Sequence, residues 1–251
     1  MVRHGESRSR DWRYEFKYRL NPIQYNRIRI AILPYMRLDD YSRVASGKKY
    51  LVRSLYFDTY DYETFQEKMS GDSDRVKFRI RTYSRSITDD TVVRVELKVR
   101  NANAMVKYGS FVSVSDHLFF MRRRHWPETG NPVLDEFERC LHLKSLEPKI
   151  LIEYLREGFK DRAGSDLRIT FDQQVRSAHC SDLFPQGPVF FRAHHPQGII
   201  LEIKGYDIPP AWLKRLVREH GLKIVANSKF TQGILAVRQE LYHPGGVVVI
   251  R

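Results

Sequence analysis

Basic and apolar side chains alternate along two neighbouring segments, residues 75–83 and residues 92–100. A period of two places successive side chains on opposite faces of a strand, so each segment is predicted to be a strand with one charged and one apolar face. A polar, turn-like run separates them, which indicates an antiparallel hairpin. Like charges on one face repel each other unless an anion or water neutralises them. The charged face is therefore either a solvated surface or a site for phosphate. Its basic residues are Arg75, Lys77, Arg79, Arg81, Arg94, Lys98 and Arg100.

The excess of positive charge extends over the whole chain. The chain has 251 residues, a formal net charge of +13 and 42% hydrophobic residues. Such a charge favours a polyanionic partner, which would be a nucleic acid, a membrane surface or a phosphate chain. The hydrophobic content suffices for one large core, and no shift in composition marks a boundary. We therefore predict a single domain over residues 12–242, with a flexible N-terminus at residues 1–11 and a tail at residues 243–251.

The cysteines and the apolar runs bear on the compartment. Cys140 and Cys180 are too few for a disulfide framework and do not have the spacing of zinc ligands, which favours a reducing compartment. The longest late apolar run, residues 247–250, is far shorter than a membrane span. We expect a soluble, cytoplasmic protein.

The pattern predicts further elements on both sides of the hairpin. Helices are predicted after Asn21-Pro22 and Pro209-Pro210, where a cap residue or proline begins a helix, and from Ser228 onward. Further helices are predicted at residues 62–69, 118–126 and 133–143. Alternation predicts strands at residues 11–20, 50–58, 149–159, 167–172 and 199–204, and a weak strand or a lid at residues 107–111.

The recurring basic face allows two arrangements. If the apolar faces of the strands meet each other, the protein is a sandwich with charged outer surfaces. If helices cover the apolar faces instead, the sheet curls and the charged residues line an interior. The apolar stripes of the predicted helices favour the second arrangement.

A series of short motifs, in this order along the chain, resembles the VTC domain. This domain is the catalytic module of polyphosphate polymerases within the triphosphate tunnel metalloenzyme superfamily, and the resemblance spans about residues 12–240. It implies an α+β fold, with an antiparallel eight-stranded β-barrel tunnel and helices packed on the outside. The motifs are Arg13-x-Glu15-x-Lys17 and the segments 54–59, 77–81, 95–98, 152–156, 167–172, 201–204 and 228–230.

The resemblance also implies an activity and a site. It implies transfer of the γ-phosphate of ATP to a growing polyphosphate chain, with Mn²⁺ or Mg²⁺ as cofactor and ATP and polyphosphate as partners. Glu202 is similar to the glutamate that holds the metal, Lys229 to the lysine at the transferred phosphate, and Arg79 and Arg81 to catalytic tunnel cations. The matched substrate-binding residues are Lys17, Lys98, Lys107, Tyr154, Arg156, Arg168 and Ser228.

These residue types suit phosphoryl transfer, which requires positioning and charge stabilisation more than covalent chemistry. An arginine binds phosphate oxygens in a fork and a lysine reaches a single oxygen. A serine that caps a helix would direct free backbone N–H groups at an anion. Each cation taken alone fits a solvated surface better than a phosphate site, whereas the set of cations on alternating positions favours the phosphate site. Glu202 is equally compatible with a structural ion pair to an arginine.

Other functions remain open from the sequence. A hydrolase of tripolyphosphate or nucleoside triphosphates would use the same fold, and a non-catalytic polyphosphate- or RNA-binding module would use the same basic face. Recognisable RNA-binding motifs are lacking, which disfavours nucleic acid. Only Glu15, Glu96 and Glu202 are placed on charged faces, so the cations are expected to repel one another. On that basis, Arg79→Ala is expected to leave the melting temperature unchanged or to raise it.

Overall fold

The computed structural model describes residues 14–101, 104–127, 130–206 and 208–238. The predicted flexible N-terminus at residues 1–11 and the predicted tail at residues 243–251 lie outside these ranges. Within the described part of the chain, no helix is both long and apolar enough to span a bilayer.

Strands make one large antiparallel sheet, and most of them form where the alternation predicted them. The strands are β1 (Tyr14–Leu20), β2 (Met36–Leu38), β3 (Tyr50–Asp58), β4 (Arg75–Thr82), β5 (Val93–Asn101), β6 (Ala104–Val112), β7 (Glu147–Asp161), β8 (Arg168–His179), β9 (Arg192–Ala193) and β10 (Ile199–Gly205). The short strands β2 and β9 were not predicted, and β8 continues past the predicted residues 167–172. The predicted weak strand or lid at residues 107–111 is part of the nine-residue strand β6.

In the described residues, eight strands follow one another in the sheet in the order β1-β10-β8-β7-β3-β4-β5-β6. Strand β2 pairs with β7, and β9 pairs with β8.

The sheet does not close into the predicted barrel, because β1 and β6 at its two ends do not pair within the described residues. The free edge of β1 is instead occupied by a short segment near residue 225. The N–H of Val225 donates to the carbonyl of Lys17 at 2.8 Å, and Tyr18 forms an isolated antiparallel bridge with Ile224. Since these backbone groups are already satisfied, they are not available to β6.

Strand β7 extends beyond the predicted residues 149–159 at both ends, from Glu147 to Asp161. The ladder with β8 continues past Gly158, which faces Thr170, and the irregularity lies between Glu153 and Leu155. The glycine has another purpose: a Cβ atom there would lie 2.0 Å from Oδ2 of Asp39. Gly158 therefore lets Asp39 approach the strand closely.

Most of the helices begin at side-chain caps, and the sequence predicted several of these caps. Asn21 and Asn131 accept backbone N–H groups at the starts of α1 and α5, and Ser228 does so for α7. Helix α4 begins earlier than predicted because Ser113 caps it. The helices are α1 (Pro22–Ile32), α2 (Asp40–Val44), α3 (Glu63–Ser70), α4 (Val114–Arg123), α5 (Pro132–Leu143), α6 (Ala211–Glu219) and α7 (Lys229–Val237).

The apolar core divides into three clusters. One packs α4 and α5 on the apolar face of β3, β4 and β5, with Phe78 and Phe137 at its centre. A second packs α1 and α6 on β1, β8 and β10. These two confirm the prediction that helices cover the apolar faces.

The third cluster corrects the prediction that all helices pack on the outside. Helix α7 contacts the opposite face of the sheet through Phe230 and Ile234, against Val52, Tyr56 and Tyr154. Several of these residues also line the central cavity. The reason is that β3 and β7 carry apolar residues on both faces at this point, so the inner face also needs a cover.

Candidate functional site

The inner face of the curved sheet encloses a cavity of about 640 Å³. Side chains from the strands and from the start of α7 line it, and every site residue predicted from the sequence is among them. The structure thus brings these residues together, while their roles remain predictions. They are Lys17, Arg79, Arg81, Lys98, Lys107, Tyr154, Arg156, Arg168, Glu202, Ser228 and Lys229.

A pair of buried carboxylates, Glu202 on β10 and Asp172 on β8, shares the ammonium group of Lys229. The Nζ atom of Lys229 lies 3.0 Å from Oε1 of Glu202 and 2.5 Å from Oδ2 of Asp172. Arg156 binds Asp172 in a fork, with N–O distances of 2.6 and 2.7 Å. Lys204 donates to the other oxygen of Glu202 at 2.7 Å. Two anions and three cations therefore form one buried network.

The charges of this network hold both carboxylates in the ionised form. Burial alone would raise the pKa of Glu202, but Lys204 and Lys229 hold it well below its usual value. Burial likewise opposes ionisation of Asp172, and Arg156 and Lys229 bring its pKa below the ordinary range.

Sequence reasoning did not assign Asp172 or Lys204 to the site. Both could have been found by extending the alternation, since Asp172 follows Arg168 at a period of two on β8, and Lys204 follows Glu202 on β10.

A third buried carboxylate of the cavity region, Glu96 on β5, contacts the cations of the hairpin. Arg79 donates to it at 2.6 Å, and Arg81 lies 3.8 Å from the same oxygen. Lys107 on β6 forms an ion pair with its other oxygen. Burial acts to raise the pKa of Glu96, but these cations hold it well below the usual value.

These ion pairs overturn the expectation that the hairpin cations repel one another without relief. Arg79 is bound not only to Glu96 but also to Tyr56, whose hydroxyl accepts from Nη1 at 2.9 Å. Burial acts to raise the pKa of Tyr56, yet Arg79 and Arg81 bring it below its usual value. Arg79 is thus a well-compensated cation, and its removal takes a short ion pair from the buried carboxylate of Glu96.

Glu15 on β1 connects the two ends of the sheet across the cavity. Its carboxylate lies 3.1 Å from Lys17, 3.6 Å from Lys98 of β5 and 3.7 Å from Lys204. Burial acts to raise the pKa of Glu15, but Lys204, Lys17 and Lys98 lower it to about 2. Strand β1 at one end of the sheet is therefore linked through side chains to β5, the strand next to the other end, although β1 and β6 do not pair.

Three lysines in the cavity lose their protons easily. Burial, reinforced by neighbouring cations, lowers the pKa of Lys77 to about 7 and that of Lys98 to about 8. Burial and the charge of Arg79 lower the pKa of Lys107 to about 7 despite its contact with Glu96. A bound polyanion would restore the charged form of each.

Lys77 differs from the other two because, among the described residues, no carboxylate lies within ion-pair distance of it. Its ammonium donates to the hydroxyl of Ser228 at 3.0 Å and lies 5.2 Å from the centre of the Phe230 ring. Ser228 also caps α7 by accepting from the N–H of Thr231. Lys77 was not among the predicted site residues, although it shares the period-two face of Arg79.

Arg168 stands at the edge of the cavity. Its Nη2 atom donates to Asp39 at 2.9 Å and to the hydroxyl of Tyr50 at 3.3 Å. Its buried Nε atom has no hydrogen-bond partner among the described residues. An unpartnered buried donor is unfavourable unless a ligand satisfies it.

The donor set of the cavity can be compared with the needs of a divalent metal. In the described residues, no group of three or more His, Cys, Asp or Glu side chains could hold a metal ion. Glu202 and Asp172 nevertheless supply hard oxygen atoms at one place. Mg²⁺ is commonly held by one or two carboxylates plus phosphate oxygens and water, and Mn²⁺ accepts the same ligands. The residues therefore fit a metal that arrives with a phosphate substrate.

One solved structure shares the fold of this chain, and two others are similar to it at lower scores. A Bacillus halodurans protein that is provisionally described as an adenylate cyclase has a TM-score of 0.53 at 15% identity, with 87% of this chain and 94% of that chain covered. A Vibrio parahaemolyticus protein with the same description has a TM-score of 0.45 at 14% identity, and a Pyrococcus horikoshii protein one of 0.46 at 14% identity. Both of these comparisons cover 88% of this chain and 97% of the other.

The VTC domain family matches residues 12–238 of this chain. The chain therefore belongs to the VTC domain family, within the triphosphate tunnel metalloenzyme superfamily. Members of this superfamily generally use divalent metals. A search of curated protein sequences finds no match.

Proposed function

We propose that this protein is a metal-dependent phosphotransferase that extends polyphosphate with the γ-phosphate of ATP. The observation that carries the proposal is the charge of the cavity. Among the described residues, fourteen basic and two acidic side chains line it. Even with the adjoining Glu96 and Asp172 included, the cations far outnumber the anions. A chain of phosphates would neutralise this excess, and membership of the VTC domain family supports the same substrate.

The transfer itself requires little covalent participation by the protein. An oxygen of the terminal phosphate of the growing chain attacks the γ-phosphorus of ATP, the bond from that phosphorus to the β-phosphate oxygen breaks, and ADP leaves. Charge develops on the oxygens around the transferred group, and fixed cations stabilise it. Lys229 is suited to this group because its ammonium is already held in place by Asp172 and Glu202. Arg79 and Arg81 are suited to the neighbouring phosphates.

Glu202, with Asp172 beside it, would hold Mn²⁺ or Mg²⁺ together with the phosphates. The metal would supply charge neutralisation between phosphate groups. Glu202 now binds Lys204, so the ammonium of Lys204 can turn to phosphate oxygens once the carboxylate has a metal partner, while Lys229 keeps its contact with Asp172. Nucleotide and metal binding are then mutually supportive.

A hydrolase of tripolyphosphate or nucleoside triphosphates is the second candidate, and Asp172 is the observation that favours it. The sequence placed three carboxylates on charged faces, whereas the cavity region contains four. Additional carboxylates favour a second metal ion and activation of water. The excess of cations still favours retention of a long polyanion over release of short products.

A location in the cytoplasm is part of the same proposal. Cys140 and Cys180 are free thiols, and Cys140 is buried. Free thiols and a nucleotide substrate suit the cytoplasm.

The test is to incubate the purified protein with ATP and either Mn²⁺ or Mg²⁺ and to analyse all phosphate products. A polymerase gives ADP and a long anionic polymer that a polyphosphatase degrades. ADP with only orthophosphate would establish the hydrolase instead. Binding of polyphosphate without any turnover would refute both enzymes. Lys229→Met provides the control for contaminating activity.

A further inference from the structure

Three tyrosine rings meet on the wall of the cavity, and we call them the tyrosine shelf. Tyr41 lies on α2, Tyr50 begins β3 and Tyr83 follows β4. The ring centres of Tyr41 and Tyr83 are 5.5 Å apart with an angle of 25° between their planes, and Tyr50 lies 5.4 Å from Tyr41 and 6.0 Å from Tyr83. All three line the cavity. Three distant segments thus combine into one aromatic surface.

Packing of the core does not account for the whole shelf. Tyr50 and Tyr83 pack against the third apolar cluster, but of the described residues in the three clusters none is Tyr41. Its side chain is 53% exposed. An aromatic surface that is open to a polar cavity is available for a flat ligand group.

The shelf is adjacent to the cations that are proposed to bind phosphate. The hydroxyl of Tyr50 lies 3.3 Å from Nη2 of Arg168, and Tyr50 pairs with Arg156 across β3 and β7. The same Nη2 atom of Arg168 donates to Asp39 at 2.9 Å. Phosphates that bind at these arginines therefore lie beside aromatic rings.

Asp39 also fixes the position of Tyr41. Its second oxygen accepts the N–H of Ser42 at 2.8 Å and so caps α2, the helix that carries Tyr41. Gly158 is the residue that leaves room for this carboxylate. The arginine, the cap and the shelf are thus one connected structure.

We propose that the tyrosine shelf binds the nucleobase of a nucleoside triphosphate by stacking, while the phosphates of that nucleotide lie among the cavity cations. The proposal rests on the proposed function, because it names the base subsite of the same nucleotide. Every nucleobase has a flat face, so stacking favours nucleotides over bare phosphate chains with little selection among bases. Polyphosphate has no flat ring and therefore would not stack on the tyrosine shelf.

The experiment compares two ligands on four proteins by isothermal titration calorimetry. The ligands are ATP and tripolyphosphate, and the proteins are the parent, Tyr41→Ala, Tyr41→Phe and Tyr60→Ala. Tyr60 is the matched control because it is 83% exposed and does not line the cavity. The melting temperature of each variant is measured first to establish that it folds.

Tyr41→Ala is expected to weaken ATP binding about tenfold and to leave tripolyphosphate binding unchanged. Tyr41→Phe keeps the ring and should retain the parent's affinity for ATP, as should Tyr60→Ala. UTP and GTP should lose affinity in Tyr41→Ala to a similar degree.

Unchanged ATP affinity in Tyr41→Ala, or an equal loss of affinity for ATP and tripolyphosphate, would refute the proposal that the tyrosine shelf binds the nucleobase. Failure of the proposed function has a different signature. If the parent protein binds ATP more tightly than tripolyphosphate, and Tyr41→Ala removes this preference, but no polymer is made, the nucleobase site is supported and the polymerase activity is refuted. A parent that binds neither ligand would refute both.

Discussion

Lys77 is predicted to lower the stability of the free protein and to strengthen the binding of phosphate chains. The substitution Lys77→Met tests this prediction. The ammonium of Lys77 is half-buried, hydrogen-bonds only to Ser228 among the described side chains, and faces other cations. Methionine has a similar length and an unbranched chain without the charge. The variant should be more stable than the parent and should bind tripolyphosphate less tightly.

The magnitude follows from the pKa of Lys77. A decrease from 10.5 to about 7 corresponds to an upper limit of about 5 kcal/mol of destabilisation by the charged form. Because part of the side chain reaches solvent, which screens its interactions, we expect a gain of about 1 to 2 kcal/mol. For a chain of this size, that gain raises the melting temperature by about 2 to 8 °C.

The sign of the pH dependence is fixed by the same shift. Between pH 7 and pH 10.5 the unfolded state holds more protons on Lys77 than the folded state, so the parent gains stability as the pH rises through this window. The advantage of Lys77→Met is therefore full below pH 7 and shrinks toward pH 10.5. Thermal melts at pH 6, 7.5 and 9 measure it.

Lys229→Met is the matched comparison, because the same substitution in the same cavity should have the opposite effect. Lys229 contacts Asp172 and Glu202, and its loss leaves two buried carboxylates with fewer partners. We expect a loss of about 3 kcal/mol. Reduced stability of Lys77→Met at pH 6, or a pH-independent gain, would refute the reasoning from unpaired charge.

Three further predictions concern the same cavity. Arg79→Ala should lower the melting temperature by about 5 °C or more and reduce the stabilisation by tripolyphosphate, because it removes one ion pair of the buried Glu96 and the donor to the Tyr56 hydroxyl. An unchanged or raised melting temperature would contradict a stabilising role of these contacts. Glu202→Gln should abolish turnover while nucleotide binding persists, and unchanged turnover at limiting metal concentration would remove Glu202 from the metal site. Binding of tripolyphosphate near pH 8 should take up protons and should weaken as the pH rises from 7 to 9, because Lys77 and Lys107 have pKa values of about 7 in the free protein. Calorimetry in two buffers of different ionisation enthalpy measures the proton uptake, and equal binding heats in both buffers would exclude it.

The alternating pattern of the sequence was sufficient to predict most strands and the cavity-lining cations. Arg79 and Arg81, for example, share a face because side chains two residues apart on a strand must do so. The resemblance in motif order predicted the family, and the family match over residues 12–238 confirms it. These features depend on local geometry or on short segments, which a sequence displays directly.

The tertiary structure alone decided which charges meet. The sequence could not show that Arg79 pairs with Glu96, or that Lys77 lacks such a partner, because both lysine and arginine lie on the same alternating face of β4. The difference arises from residues on neighbouring strands and on α7, which are far away in the sequence. Electrostatic energies depend on these distances and on burial, so the sign of each stability effect is a property of the fold.

The open sheet and the tyrosine shelf have the same origin. The edge of β1 contacts the segment at Val225 and not β6, through the hydrogen bond from Val225 to Lys17. Tyr41 lines the cavity from α2, the helix that Asp39 caps while it contacts Arg168 on β8. Periodicity determines which face of a strand a residue occupies, whereas contacts between distant segments determine what that face meets.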